Sequence, residues 1–412
     1  MEVLPIEAIV YNDKKVDLKD VIAPPYDVID AAYQDELYKR SQYNIVRLIL
    51  SKEEDRYKSA QRDFENWQKE EVLIKTKKPV IFYIIQKYVN EKGKTIERKG
   101  FIARNKIEDF SSKKILPHEF TMGGPKEDRF KLVSATKAFF SQIFMVYNDE
   151  KQVIEKEILP KYLALKPFMD VVDDLGVENI VYIIEDNSDI ELIQKTLEDK
   201  TLLIADGHHR YETSMNYRNA HPNNEKAKYV MSYFTNAADE NLIIYPTHRI
   251  IEKHFSKEEI MSAVEKYYDV VEVVNKDEFL NKIEEENKKQ ITTGLILENH
   301  FYVLKLKKDM EKLVKAPNCL QKLDLMVLHE LILKNELKFS QDELMAQNGI
   351  KYEKKENVAF EAINNGASAV FIMAYPKMKD IIDVSSMGER MPQKSTYFYP
   401  KLLSGIVINP LD

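Results

Sequence analysis

Residues 202–212 read LLIADGHHRYE, and this segment gives the clearest local indication of the fold class. The apolar run before Asp206 predicts a buried strand, Gly207 permits a sharp turn, and the residues that follow predict a helix. Proteins of the α/β class bind ligands at the carboxyl ends of their strands. A helix N-terminus adds unpaired N–H groups and a partial positive charge. The stretch therefore predicts a binding site for an anion, and phosphate fits it best.

The predicted helix begins with an unusual charge pattern. Arg210, His208 and His209 crowd its positive end, where acidic residues are normally preferred, at a cost of about 0.3–1 kcal/mol per cation. A bound anion or Asp206 would offset this cost. The alternative interpretation is that Asp206 caps the helix and that both histidines only pack. Adjacent histidines point in different directions, so a phosphate-facing histidine that stabilises charge or relays a proton fits better than a shared metal ion.

The composition indicates a folded chain with more than one structural unit. The 412 residues are 44% hydrophobic and 10% aromatic, and the formal net charge is −7. This acidic balance argues against generic nucleic-acid binding, so nucleic acid is not an expected partner. Because Cys319 is the single cysteine, neither an intramolecular disulfide nor a thiolate metal cluster can form.

The sequence has no recognisable targeting or membrane-spanning pattern, which favours a cytoplasmic protein without a membrane partner. The N-terminal residues lack the charged leader and long apolar stretch of a signal peptide. Apolar runs such as residues 80–85 have the length of a strand and fall far below the ~20 residues that span a bilayer.

Alternating strand and helix patterns predict a mixed α/β (α+β) fold with a strand–turn–helix core. We expect three regions. Residues 1–150 form an N-terminal α/β region with a hairpin and a His-Glu loop, residues 151–255 hold the core with the DGHHR motif, and residues 256–412 form a C-terminal α/β region with an MPQKST loop. Individual expectations include a helix over 54–71, a hairpin over 79–105, a strand over 242–245 and a helix over 324–333.

Two further polar clusters follow apolar segments. His248 and Arg249 come directly after a predicted strand, and their alternative interpretation is a solvated strand end. Lys394, Ser395 and Thr396 lie in a proline-flanked, aromatic loop over residues 389–401. The glycines of a phosphate-binding Walker loop are absent there, so the cationic loop predicts a rigid anion clamp of a different kind.

Two N-terminal segments complete the candidate residues. His118 and Glu119 precede a glycine pair, and either side chain can supply the general base for phosphoryl or proton transfer. Tyr26 and Asp27 follow two prolines that hold the backbone extended. The alternative interpretations are a solvated acidic loop for the first segment and a packing turn for the second.

With these segments in order, the chain resembles the domain-of-unknown-function family numbered 1015 over nearly its whole length. The motifs that carry the resemblance are APPYD at 23–27, HE at 118–119, DR at 128–129, DGHHRY at 206–211, PTHR at 246–249 and MPQKST at 391–396. The motif at 206–210 is also similar to the signature of the ParB/sulfiredoxin superfamily and to a Gly-His-Arg string in free serine kinase. Sulfiredoxin chemistry is excluded because its cysteine is absent and a histidine stands in the motif instead.

The resemblance implies a nucleotide- and Mg²⁺-dependent phosphotransferase that uses ADP or ATP and acts on a small hydroxy amino acid. The reaction is that of a free serine kinase or its reverse on phosphoserine. The alternatives are a ParB-like nucleotide-binding regulatory or DNA-associated protein and a phosphoserine phosphatase-type hydrolase. The oligomeric state stays open, a homodimer included.

The expected residue roles fall into four groups. They are catalysis by His118, Glu119, Asp206, His208 and His209; nucleotide or phosphate binding by Gly207, Arg210, Thr213, Arg249, Lys394, Ser395 and Thr396; substrate binding by Tyr26, Asp27 and His248; and metal binding by Asp206.

Overall fold

The computed structural model describes residues 1–91, 93–120, 123–392 and 394–412. The chain forms two compact units. The first unit comprises Met1–Pro117, Thr121–Leu242 and Pro400–Asp412, and the second comprises His118–Phe120 and Ile243–Tyr399. The three sequence ranges proposed above stay a prediction about how the chain is organised.

A large mixed sheet forms the framework of the first unit. Two of its strand pairs are parallel, and the others are antiparallel. Its strands in spatial order are Ile115–Pro117, Leu202–Asp206, Ile143–Tyr147, Tyr229–Asn236, Thr95–Lys106, Ile81–Val89, Glu178–Ile184 and Met169–Val172, with Val3–Leu4 paired to Thr95–Lys106. Two small two-stranded sheets pair Ile9–Tyr11 with Leu73–Lys75 and Ala138–Phe139 with Asn409–Pro410.

Helices surround this framework. The α-helices of the first unit are Leu18–Val21, Ala31–Arg40, Val46–Ile49, Arg56–Lys69, Gly123–Thr136, Leu159–Leu163, Asn187–Leu197 and His208–Ala220. Short 3-10 helices span Tyr26–Val28, Phe110–Ser112 and Lys226–Lys228, and Ile154–Ile158 is π-helical. Leu37, Phe64 and Trp67 are buried together where the helices of residues 31–69 pack, because their apolar residues recur at helical spacing.

The second unit is built on an antiparallel sheet. Its strands in spatial order are Tyr268–Val273, His300–Leu306, Thr292–Leu297, Ala369–Ile372, His248–Ile251 and Ile350–Glu353, and a separate pair joins Ile244–Tyr245 to Tyr397–Phe398. Its α-helices are Lys257–Glu265, Lys276–Glu286, Asn318–Gln321, Asp324–Val327, Gln341–Ala346, Glu356–Glu361 and Met378–Ser386, with a 3-10 helix at Met310–Leu313 and a π-helix at Leu328–Glu336.

Helices cover both faces of this second sheet. Successive residues belong to opposite apolar cores: Leu295 and Phe371 lie in one core, and their neighbours Ile296 and Val370 lie in the other. Because both faces are buried, these strands read as continuous apolar runs and do not alternate with polar residues.

The structure confirms the mixed α/β fold class and most of the predicted elements. The helix expected over 54–71 is Arg56–Lys69, and the expected hairpin pairs Ile81–Val89 with Thr95–Lys106. Lys92, between these strands in the sequence, lies outside the described residues. The strand expected over 242–245 is only Ile244–Tyr245. The helix expected over 324–333 is present, as the α-helix Asp324–Val327 continued by the π-helix Leu328–Glu336.

No helix in the part of the chain that the structure describes has both the length and the apolar character to cross a membrane.

Candidate anion-binding site

Residues 202–220 form a strand, a tight turn and a helix, as predicted. Strand Leu202–Asp206 ends at a register shift between Ile204 and Asp206 in its pairing with Ile143–Tyr147. Gly207 follows with φ of 93°, and helix His208–Ala220 begins at the next residue. The irregularity leaves Asp206 paired in register with Phe144 at the end of the strand. The likeness of this segment to the ParB/sulfiredoxin superfamily stays a prediction.

Two cations hold the Asp206 carboxylate, one on each oxygen. Lys401 Nζ lies 2.7 Å from Oδ1, and Arg210 Nη2 lies 2.9 Å from Oδ2. The side chains of both cations are 13% exposed, and that of Asp206 is 22% exposed. Partly desolvated, charge-assisted contacts of this kind are stronger than ion pairs on an open surface.

The ionisation of Asp206 follows from these contacts. Burial alone would raise the pKa of Asp206, but the charges of Lys401 and Arg210 outweigh burial and hold this pKa well below its usual range. Asp206 is therefore an anion throughout the physiological range, and it does not act as a proton donor or acceptor in this state.

Gly207 makes room for the Arg210 side chain. A Cβ atom at Gly207 would lie 3.0–3.2 Å from the guanidinium of Arg210, and the positive φ at this position also disfavours other residues. The guanidinium folds back across the helix start, where Nη1 donates to the backbone carbonyl of Gln142 at 2.6 Å as Nη2 reaches Asp206.

The first helical turn carries no acidic residue, and Gly207, at the N-cap position, offers no capping side chain. Asp206 is therefore engaged in ion pairs and is not the N-cap residue, which was the alternative interpretation. His208 is buried, His209 is half-buried, and the Thr213 hydroxyl donates to the His209 carbonyl at 2.8 Å. The backbone N–H groups of this turn and its partial charge suit an anion.

A cleft in the first unit adjoins this turn. It has about 450 Å³ of empty space open to solvent, and its lining includes Tyr26, Arg129, Arg210 and Thr213. The Arg129 guanidinium lies 4.1 Å from the centre of the Tyr26 ring. Burial raises the pKa of Tyr26 against the opposing charges of Arg129 and Arg210, so the phenol stays protonated. Asp27, its neighbour, is exposed.

The second unit brings together residues from two other predicted segments. His118 is fully buried, its Nε2 lies 2.9 Å from the Thr396 hydroxyl, and its carbonyl accepts from Met391 N–H at 2.8 Å. Glu119 Oε1 lies 3.8 Å from the same imidazole nitrogen, and its side chain is 32% exposed. The loop that contains Thr396 is thus attached to His118; Gln393 of the MPQKST motif lies outside the described residues.

Arg249 fastens the same loop from another side. Its buried guanidinium donates to the Lys394 carbonyl and His329 Nε2, each at 3.2 Å, and to the Thr247 carbonyl. Burial lowers the pKa of Arg249 to about 10, which leaves it charged. Its role as a phosphate ligand stays a prediction, because its contacts in the structure are neutral protein acceptors.

His248 and Ser395 have structural contacts of their own. Burial lowers the pKa of His248 to about 3, with a further contribution from Arg249, so the ring is neutral at physiological pH. Its Nδ1 accepts from Met373 N–H at 3.2 Å. Ser395 is buried and donates to the Pro392 carbonyl, whereas Lys394 is exposed at a φ of 57°.

Sequence reasoning did not assign Lys401 or Arg98 to the site. Lys401 was only one of several cations in a loop, and the strand residue Arg98 was not considered. A signal for Arg98 did exist: Ile96, Arg98 and Ile102 share one phase of a period-two pattern, and all three are buried. No group of three potential metal ligands occurs among residues 1–91, 93–120, 123–392 and 394–412.

Fold and site together define an α/β protein with a cationic helix start suited to an anion. The chain belongs to the family described as "Protein of unknown function (DUF1015)", whose model matches residues 3–326. No curated protein matches the sequence.

Several solved structures show a distant similarity. A free serine kinase variant in complex with ADP is 16% identical, with 73% of this chain and 90% of that chain covered and a TM-score of 0.36. Free serine kinase in complex with AMP is 15% identical, with 73% and 89% covered and a TM-score of 0.36. A C-terminally truncated SbnI from Staphylococcus aureus is 10% identical, with 74% and 85% covered and a TM-score of 0.36.

The pairing of Lys401 with Asp206 predicts a pH-dependent stability. A carboxylate whose folded pKa is depressed stabilises the fold above its unfolded pKa of about 3.9, and this contribution is lost as the pH falls. Lys401→Met keeps the ion pair with Arg210 but removes one of the charges that lower the pKa of Asp206, so this pKa rises. We expect Lys401→Met to lower the free energy of unfolding by about 1.5–3 kcal/mol at pH 7 and by less at about pH 2.5, which lies below the unfolded pKa.

Urea unfolding at both pH values measures this difference. The matched control is Lys379→Met, which removes an ion pair with Asp383 from a lysine that is 80% exposed, and its effect should be small at both pH values. An equal loss of stability at pH 7 and about pH 2.5 for Lys401→Met would contradict the assigned ion pair.

Proposed function

We propose that this protein is a nucleotide-dependent phosphotransferase that acts on a small hydroxy amino acid, and that phosphate groups bind at residues 206–210. The observation that carries the proposal is the charge at the helix start. Arg210 and Lys401 are largely buried against a single carboxylate, and the helix terminus adds a further partial positive charge. A phosphate group would neutralise this excess, and phosphoryl transfer depends mainly on such positioning and neutralisation.

The nucleotide, ADP or ATP, enters the proposal through the resemblance of the DGHHR motif. It would supply the phosphoryl group when bound. Its phosphates would be held by the N–H groups that follow Gly207 and by the Arg210 guanidinium, with the Thr213 side chain in the adjoining cleft. These donors are fixed before the ligand arrives, which is the arrangement that stabilises charge most effectively.

Magnesium is proposed with Asp206 as its protein ligand. Mg²⁺ is commonly held by one or two carboxylates together with substrate phosphates, so a site of three protein ligands is not required. Each Asp206 oxygen already accepts from one cation, and each retains a further lone pair. Asp206 therefore keeps lone pairs that could bind Mg²⁺, and the affinity of the ion would depend on the phosphate bound beside it.

The amino acid substrate is proposed to be serine or phosphoserine. Such a molecule presents a carboxylate, an ammonium group and a hydroxyl or phosphate, and each needs a complementary group. We assign Arg249 or Lys394 to the carboxylate and Asp27 to the ammonium group, with Tyr26 and His248 as further substrate residues. Glu119 is the proposed base at the hydroxyl, since its side chain is partly exposed and lies beside His118.

His118, His208 and His209 are proposed as supporting groups in catalysis. His118 has a fixed ring because Thr396 bonds Nε2, which suits an orienting role for Glu119. His208 and His209 lie in the first turn of the helix, where an imidazole can stabilise or relay charge near a phosphate.

Arg210→Ala tests the phosphate site. Removal of a charge-assisted contact costs about 1.5–3 kcal/mol, so we expect the Kd for ADP or ATP to rise roughly 10- to 100-fold. Isothermal titration calorimetry with and without Mg²⁺ measures this change. Arg218→Ala is the matched control, because Arg218 lies on the same helix but pairs with Asp109, and it should bind nucleotide like the wild type. Equal weakening in both variants would show that the helix start is not the phosphate site.

Glu119→Gln tests the proposed base. The substitution keeps the size of the side chain and removes its basicity, so we expect kcat to fall roughly 10²- to 10⁴-fold with the nucleotide Kd nearly unchanged. The assay follows phosphoserine formed from serine with ATP or ADP, and phosphate released from phosphoserine with and without ADP.

The matched control for this assay is Glu127→Gln, an exposed carboxylate that pairs with Lys131. Phosphate release from phosphoserine without nucleotide would identify a hydrolase in place of a phosphotransferase. Full activity in Glu119→Gln would exclude Glu119 as the base.

A further inference from the structure

A row of buried polar side chains crosses the large sheet of the first unit. Arg98, Gln86 and Asn179 are register neighbours on adjacent strands, and all are buried. Gln86 Nε2 donates to Asn179 Oδ1 at 2.8 Å, and Arg98 Nη2 donates to Gln86 Oε1. The Arg98 side chain is therefore held in place from one end of its guanidinium.

The other end of this guanidinium is not satisfied. Among the residues that the structure describes, Nε and Nη1 of Arg98 have no hydrogen-bond partner, and neither has the hydroxyl of Tyr233. The guanidinium carbon lies 4.6 Å from the centre of the Phe144 ring and 5.3 Å from that of Tyr233. Ring contacts stabilise the charge but do not replace hydrogen bonds, and unsatisfied buried donors are rare in folded proteins.

Arg98 belongs to the same face of the sheet as Asp206. Phe144, which lies under the Arg98 guanidinium, is the register partner of Asp206. Gln86 also connects the two groups, because its Nε2 lies 3.5 Å from the carbonyl of Lys401, whose ammonium binds Asp206. The positive charge of Arg98 is thus within electrostatic reach of the Asp206 carboxylate.

The charges on this face do not balance. Arg98, Arg210 and Lys401 contribute three positive charges, and Asp206 contributes one negative charge, with every one of these groups largely buried. The excess of two positive charges matches the charge of a phosphate dianion. Such an anion also accepts several hydrogen bonds at once, which Arg98 Nε and Nη1 and the Tyr233 hydroxyl can donate.

We propose that Arg98 binds a dianionic phosphoryl group directly. This group would lie on the face of the sheet that carries both Arg98 and Asp206. The inference rests on the proposed function and deepens it, because it adds Arg98 as a third cation at the phosphate site that Arg210 and Lys401 define. Two classes of ligand carry a terminal phosphate of this kind: a nucleotide and a phosphomonoester such as phosphoserine.

Calorimetry on the full chain with inorganic phosphate, ADP and phosphoserine tests this proposal. We expect Arg98→Gln to weaken phosphate binding roughly 10- to 100-fold, and Arg98→Lys to retain part of the affinity because it keeps the charge. Arg104→Gln is the matched control. Arg104 lies on the same strand, has an unsatisfied Nε and stacks on Tyr229, but it is not connected to Asp206, so its substitution should leave binding unchanged.

The outcomes distinguish this inference from the proposed function. Wild-type affinity in Arg98→Gln together with weaker binding in Arg210→Ala would overturn the role of Arg98 and leave the helix site intact. Absence of binding of nucleotide, phosphoserine and phosphate by the wild type would overturn both. If Arg98→Gln loses more affinity for ADP than for phosphoserine, the phosphoryl group bound by Arg98 belongs to the nucleotide. If it loses more affinity for phosphoserine, the group belongs to the phosphomonoester.

A second measurement covers the case in which Arg98→Gln does not fold. The Nε–H resonance of Arg98 in the wild-type protein, assigned by comparison with Arg98→Lys, should move downfield when phosphate is added, because this donor gains an acceptor. A resonance that stays unchanged at saturating phosphate would overturn direct contact.

Discussion

The ion pairs of Asp206 fix the geometry on which the candidate site depends. Lys401 reaches this carboxylate because the segment Pro400–Asp412 returns to the first unit, where Ile408 bridges to Ile9 and Asn409–Pro410 pairs with Ala138–Phe139. The Asp206 carboxylate thereby connects the end of strand Leu202–Asp206, the turn at Gly207 and the last segment of the chain. Arg210 completes the junction because glycine leaves space for its guanidinium.

This junction determines the electrostatics of the helix start. Asp206 remains ionised because its two partners outweigh the effect of burial on its pKa, so it holds both cations in place and offsets only one of their two charges. Cations that are fixed in a partly desolvated position stabilise an incoming anion without further reorganisation. The same arrangement costs stability when no anion is bound, since buried charges that exceed their partners are unfavourable. Such local cost is typical of functional sites.

Local patterns allowed the strand–turn–helix and most other elements to be predicted from the sequence. An apolar run, a glycine and a helical pattern adjoin one another in the chain, so short-range rules were sufficient at residues 202–220. The partner of Asp206 could not be predicted in the same way, because Lys401 lies 195 residues away and its approach depends on tertiary packing. Residue type also failed to indicate the surroundings of the Arg249 side chain. Arg249 was expected just after a strand, but it lies within strand His248–Ile251 and donates to buried carbonyl groups.

A crystal structure of the protein with ADP and Mg²⁺ tests the phosphate site at residues 206–210 most directly. If phosphate binds at residues 206–210, its oxygens will lie within hydrogen-bond distance of the backbone N–H groups that follow Gly207 and of the Arg210 guanidinium. Asp206 will still be paired to Lys401. A contrary result would place the phosphates elsewhere, for example in the cavity of the second unit that Lys288, Lys322 and Lys377 line and whose empty volume is about 830 Å³. In that case the charge at residues 206–210 would serve the fold and not the ligand.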